Sequence, residues 1–173
     1  MWIKLIGCLL VIISSAWTGF SLAERYNKRP REIRQLIACI ASLGSHIYYV
    51  SLPLAEALER ASQIAEGPVR ELFQQTALHI HTTGWLSAGQ AFQKALGETS
   101  EKLALNKPEQ EILLVLAAIL GTVDQSEQQK QLELAMNELE KVHKEAIAAR
   151  DQNVKMYRYL GVCVGLATAI LLI

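Results

Sequence analysis

The sequence has few of the residues that support several common classes of protein. Three cysteines in 173 residues are too few and too far apart for a disulfide framework, and the composition excludes a collagen-like chain. Charged residues make up 20% against 51% hydrophobic residues, which excludes an intrinsically disordered chain. The formal net charge is zero, so the chain as a whole has no positive excess that would attract nucleic acid. The length fits one domain.

Motifs of catalysis and of metal binding are missing as well. The sequence has no GxxxxGK[ST] phosphate loop, no GxSxG, no HExxH and no DxDxDG calcium loop. His79 and His81 are two residues apart on a predicted helix, so they point to different faces and cannot chelate one metal as an i, i+4 pair can. Each cysteine is interpreted as a free packing residue. We therefore expect no enzyme activity, cofactor, metal or small-molecule substrate.

Two stretches without charged residues stand at the ends of the chain. Residues 5–23 would span about 28 Å as a helix, at about 1.5 Å per residue, close to the hydrocarbon thickness of a bilayer. Residues 159–173 are shorter, but the tyrosines and the arginine before them can lie at the lipid interface, so that this span starts near Met156. The predicted organisation is an N-terminal transmembrane helix over 1–24, a helical bundle over 25–155 and a C-terminal transmembrane helix over 156–173.

Basic residues cluster at both ends of the middle segment. Residues 24–36 hold five Lys/Arg against two Glu, whereas residues 37–149 hold eight Lys/Arg against fourteen Asp/Glu. Because basic residues beside a span favour the cytoplasmic side, this pattern predicts a multi-pass protein of the cell membrane with its bundle in the cytoplasm. The membrane-proximal basic residues, which can also contact lipid headgroups, are Arg25, Lys28, Arg29, Arg31 and Arg34.

Signal-peptide cleavage is the alternative interpretation of the N-terminus. Ser21-Leu22-Ala23 has a small-x-small pattern, and cleavage before Glu24 would export the bundle as a C-terminally anchored binding or sensor domain. The five basic residues directly after the span oppose translocation of that segment.

The middle segment predicts helices throughout. No stretch alternates polar and apolar residues between hairpin turns, so a sheet is not expected. Helices are predicted to begin at Pro53, at Gly67-Pro68 and at Asn106-Lys107-Pro108-Glu109, which has the pattern of a capping box, and Gly97 is predicted to end the fourth helix. The first helix is predicted to start near Pro30. Its expected apolar stripe comprises Ile33, Leu36, Ile37, Ile40, Leu43, Ile47 and Val50.

The sixth predicted helix is unusually long. Residues 127–151 contain no Gly or Pro, and their apolar residues repeat at spacings of three and four, as in a coiled coil. Nothing interrupts the helix before the C-terminal apolar run, so we expect one helix of about 45 residues that continues into the membrane. The predicted fold class is an all-α, membrane-anchored bundle of about six helices.

Two sets of residues resemble known families. Trp17-Thr18-Gly19-Phe20 and the segment 29–36 resemble the opening of stage III sporulation protein AB of endospore-forming bacteria, and the length, terminal spans and helical middle agree with it. The segments 52–59 and 84–92 are similar to parts of the inner-membrane platform protein F of type II secretion and type IV pilus systems. This chain has one such domain where platform protein F has two.

The resemblance implies a function and partners. Proteins of the sporulation family are needed for spore formation and sit in the mother-cell membrane around the forespore, in a channel-like assembly with other stage III proteins. One of these resembles a secretion ATPase. By analogy with platform protein F, the chain is expected to be a membrane platform between the cytosolic ATPase and envelope-spanning components. The candidate partner-binding residues are the acids away from the membrane: Glu98, Glu101, Glu109, Glu111, Asp124 and Glu127.

Overall fold

The computed structural model describes the backbone of residues 2–84, 86–122 and 124–172. Side chains are described for residues 24, 26–84, 86–122, 124, 126–153 and 156. This part of the chain forms six helices and no strand, which confirms the all-helical prediction. The helices are α1 (Trp2–Tyr48), α2 (Leu54–Ser62), α3 (Gly67–Thr82), α4 (Ala88–Thr99), α5 (Lys107–Ile119) and α6 (Gln125–Leu172).

The first helix differs from its prediction at both ends. Pro30 lies inside α1, not at its start. Proline fits the first turn of a helix, but a long helix can also continue through it with the loss of one backbone hydrogen bond. At the other end α1 stops at Tyr48, so Val50, expected in the buried stripe, is 57% exposed. It stands in a turn next to Ser51, whose φ of 57° lies outside the helical region.

The other helices follow their predicted breaks closely. α3 has Pro68 in its first turn, and α6 runs without interruption from Gln125 to Leu172, as predicted. Gly97 does not end α4, which continues to Thr99. The predicted capping box of α5 is present: the Glu109 Oε2 accepts a hydrogen bond from the Asn106 N–H at 2.9 Å.

The chain divides into two compact units. One comprises Arg31–Lys144, and the other comprises Met1–Pro30 together with Glu145–Ile173. The predicted bundle boundaries at 24/25 and 155/156 concern membrane spans, and they stay a prediction.

The core of the Arg31–Lys144 unit is mainly aliphatic among the side chains that the structure describes. Phe73 on α3 and Phe92 on α4 meet edge to face, with ring centroids 6.1 Å apart. Every helix contributes fully or nearly fully buried side chains, which include Ile33, Leu36, Ile40, Leu43, Leu58, Leu72, Leu96, Leu113, Leu132 and Leu139.

A buried carboxylate joins α1 to the segment that precedes α5. Glu32 is only 6% exposed, and its Oε2 accepts a hydrogen bond from the Ala104 N–H at 2.7 Å. Leu103 and Leu105 on either side of Ala104 are buried as well. This contact, across 72 residues of sequence, fixes the segment from which α5 starts.

Within the part of the chain whose side chains are described, no helix offers a segment that is both long and apolar enough to cross a bilayer. The predicted spans, 5–23 and 156–173, fall almost entirely outside those side chains.

Candidate docking surface

An open groove lies between α5 and α6. Its volume is about 390 Å³. Its lining residues from α5 are Pro108, Glu111, Ile112, Val115, Leu116 and Ile119, and those from α6 are Gln131, Leu134, Ala135 and Glu138. All of them belong to the Arg31–Lys144 unit.

The floor of the groove is apolar and reaches the surface. Leu116 and Ala135 are buried at its base, whereas Val115 is 62% exposed and Leu134 is 47% exposed. Large aliphatic side chains left open side by side, and surrounded by polar residues, are typical of a surface that another molecule covers.

Carboxylates stand at the rim of the groove. Glu111 and Glu138 are exposed, and neither takes part in any ion pair or hydrogen bond among the described residues. Glu127 lies one helical turn before the lining residue Gln131, and its Oε1 accepts a hydrogen bond from the Gln131 Nε2 at 2.8 Å. No Lys, Arg or His lines the groove. Its electrostatic character is therefore acidic.

The six acids predicted for partner binding do not form one cluster. Glu111 is in the groove and Glu127 is beside it. Glu98, at the end of α4, lies with its Oε2 3.1 Å from the Nε2 of the nearly buried His79. Glu101 and Asp124 are exposed. Glu109 is fully buried by its role in the capping box, which leaves its carboxylate no surface for a partner.

The basic residues predicted near the membrane are mostly surface residues. Lys28 pairs with Glu24 one turn earlier at 3.0 Å, and Arg31 pairs with Glu66 at 2.8 Å. Arg34 is exposed and Arg29 is partly exposed. The side chain of Arg25 lies outside the described residues. Exposed pairs of this kind contribute little to stability.

The described cysteine and the histidine pair do not form a reactive site. Burial raises the pKa of the Cys39 thiol to about 11, and its Sγ donates to the carbonyl oxygen of Ala61 at 3.4 Å. This agrees with a packing residue; the side chains of Cys8 and Cys163 lie outside the described residues.

His79 is buried and His81 is exposed, so the two do lie on different faces. Among the described residues, no group of His, Cys, Asp and Glu could hold a metal ion.

The groove was not predicted from the sequence, although the apolar residues that line it are visible there. Residues 112–119 of α5 are apolar on every side, and a helix of this kind needs cover on more than one face. On α6, Leu134 stands between the seam positions Leu132 and Met136, where a coiled-coil helix is normally polar. Glu138, the second carboxylate of the rim, has no distinguishing pattern in the sequence.

The described part of the chain is therefore all-helical, with an open groove between α5 and α6 that is apolar at its floor. The family model for stage III sporulation protein AB matches residues 4–173. A stage III sporulation protein AB of Bacillus subtilis (strain 168) is 35% identical over 170 residues, which cover 98% of this chain and 99% of that protein. A solved structure of a stage III sporulation protein AB, 34% identical, covers 72% of this chain and 98% of its own, with a TM-score of 0.68. The chain belongs to the stage III sporulation protein AB family, as the resemblance in its first 36 residues indicated.

Proposed function

We propose that this chain is a non-enzymatic membrane platform in a secretion-like channel complex needed for spore formation. In that role it links a cytosolic ATPase to envelope-spanning components. Membership of the family supports a role in sporulation. The observation that carries the platform role is the open groove between α5 and α6, apolar at its floor and acidic at its rim. A protein that works by holding other proteins together needs such a surface.

Attachment to the membrane of the mother cell is part of this proposal. The uncharged runs 5–23 and 159–173 supply two segments that can partition into a bilayer. Lys and Arg residues follow the first run and precede the second, which favours a cytoplasmic position for the residues between them. An ATPase in the cytosol can then reach the bundle.

The proposed ATPase contact uses carboxylates that the structure leaves at the surface. Glu98 keeps 45% of its side chain exposed despite its contact with His79, and Glu101, three residues further on, is exposed. The similarity of residues 52–59 and 84–92 to platform protein F supports an ATPase as the partner, through analogy between families.

Charge reversal tests this contact. We expect Glu98→Lys with Glu101→Lys to lower recovery of the ATPase-like stage III subunit with the full-length chain at least fivefold, since exposed charges set partner choice. The matched control is Glu59→Lys with Glu140→Lys, which makes the same charge change at exposed positions of α2 and α6. Glu98→Gln, which keeps an acceptor for His79, separates loss of that contact from loss of charge. Unchanged ATPase recovery and unchanged sporulation in the double variant would remove these acids from the docking surface.

A further inference from the structure

We infer that the groove between α5 and α6 binds an amphipathic helix of a partner protein, whose apolar stripe has Lys or Arg residues at its ends. This inference rests on the proposed platform function and adds the chemistry of the segment that the platform holds.

The geometry of the groove favours a helix as its occupant. The lining residues of α5 extend from Pro108 to Ile119, a length of about 16 Å or three helical turns. Two helices side by side offer ridges and grooves into which a third helix packs, with anchors at spacings of three and four. A peptide that binds by strand addition would need the edge of a sheet, and the described residues form no strand.

The relative direction of α5 and α6 determines at which end of the groove each rim carboxylate lies. Only Leu120 to Asp124 connect α5 to α6, which is too short for parallel neighbours, so the helices run antiparallel. Glu111 and Glu138 are both remote from that connection along their helices, and therefore lie toward the same end of the groove. Glu127 and Gln131 lie toward the other end, close to the connection.

The positions of these carboxylates indicate which charge an occupant of the groove would need. Glu111 and Glu138 line one end of the groove, Glu127 lies beside the other end next to Gln131, and Val115 and Leu134 occupy the stretch between the two ends. Lys107 and Lys141 stand one turn from Glu111 and Glu138, but neither lies within ion-pair distance of these acids. A helix with basic residues at both ends of an apolar stripe would find complementary charge at each end and complementary apolar surface in the middle.

Site-specific photo-crosslinking of the full-length chain in sporulating cells tests the inference. The photoreactive residue p-benzoylphenylalanine replaces Val115 in one strain and Leu134 in another. Leu78 on α3, which is 50% exposed and outside the groove, is the matched control position. All three side chains are exposed, so the replacements should leave the core intact. Mass spectrometry of the crosslinked peptide then identifies the segment that lies in the groove.

We expect crosslinks from Val115 and Leu134, but not from Leu78, to one helical segment of a different protein with Lys or Arg at both ends of its apolar stripe. Neutralising the rim with Glu111→Gln and Glu138→Gln should lower the crosslink yield from Val115 at least fivefold, whereas Glu59→Gln should leave it unchanged. A crosslink to a second copy of this chain overturns the inference. A crosslink yield at Val115 and Leu134 no higher than at Leu78 also overturns the inference. The same holds if the crosslinked segment lacks basic residues at its ends, or if the two rim substitutions leave the crosslink yield unchanged.

Two results distinguish failure of the proposed occupant from failure of the proposed platform function. If the groove yields no such crosslink while Glu98 and Glu101 are needed for ATPase recovery, the proposed occupant is wrong and the proposed ATPase contact stands. If the bundle proves to lie outside the cytoplasm, the platform function fails whatever the groove binds.

Discussion

At the residue scale, the most consequential side chains are acids whose environments differ. Glu32 and Glu109 are buried acceptors of backbone N–H groups, and they shape the segment between α4 and α5. Glu111 and Glu138 are exposed beside an apolar groove. The sequence indicates the capping role of Glu109 through its position three residues after Asn106. It gives no such signal for Glu32, because only the neighbours in the fold decide whether that glutamate is buried.

Removal of the buried carboxylate of Glu32 should destabilise the protein. Glu32→Ala leaves the Ala104 N–H without its acceptor in a segment whose neighbours are buried, and we expect a loss of about 2 kcal/mol in the free energy of unfolding. The control is Glu66→Ala, which removes the exposed ion pair to Arg31 and should lower stability by less than about 0.5 kcal/mol. Urea titration of the full-length chain in detergent, followed by circular dichroism, measures both. Equal losses in the two variants would contradict the structural role of Glu32.

At the scale of the element, two glycines of the same helix should respond oppositely to alanine. A Cβ at Gly89 would lie 3.1 Å from the Ala118 Cα of α5, whereas a Cβ at Gly97 meets nothing within 4 Å. Gly89→Ala should therefore lower the free energy of unfolding by about 1–2 kcal/mol through overpacking. Gly97→Ala should raise it by about 0.5–1 kcal/mol, because alanine is the better helix former.

The thermal unfolding of the two glycine variants, measured in parallel with the parent chain, provides the comparison. A higher melting temperature for Gly89→Ala, or a lower one for Gly97→Ala, would show that α4 and α5 do not approach each other as described.

The elements also show which parts of the fold the sequence could predict. Local signals placed the starts of α3 and α5 and the capping box of α5, because proline and capping residues act within one turn. Pro30 was misread as a helix start, since proline fits a first turn and is also tolerated inside a long helix. The groove was not predicted, because the apolar residues of α5 and α6 indicate only that these helices need cover, whereas the groove itself depends on the distance between the two helices.

At the scale of the whole molecule, the two compact units coincide with a change in the character of the sequence. Most of the charge, and the helices α2 to α5, lie within Arg31–Lys144, whereas the other unit contains both uncharged runs. This division agrees with a platform in which one part meets partners and the other is proposed to meet the bilayer.

The proposed platform function requires the bundle to lie on the cytoplasmic side of the membrane, and thiol labelling measures on which side it lies. A full-length variant carries Gln74→Cys, at an exposed position of α3, with Cys8 and Cys163 replaced by alanine. Cys39 can stay, because it is fully buried and its pKa of about 11 keeps it a thiol at neutral pH. Intact cells without walls are then treated with a membrane-impermeant thiol reagent.

We expect residue 74 to be protected in intact cells and labelled after lysis, since the bundle would lie in the cytoplasm within reach of an ATPase. Labelling in intact cells would contradict the platform function, and an exported domain anchored at its C-terminus would replace it.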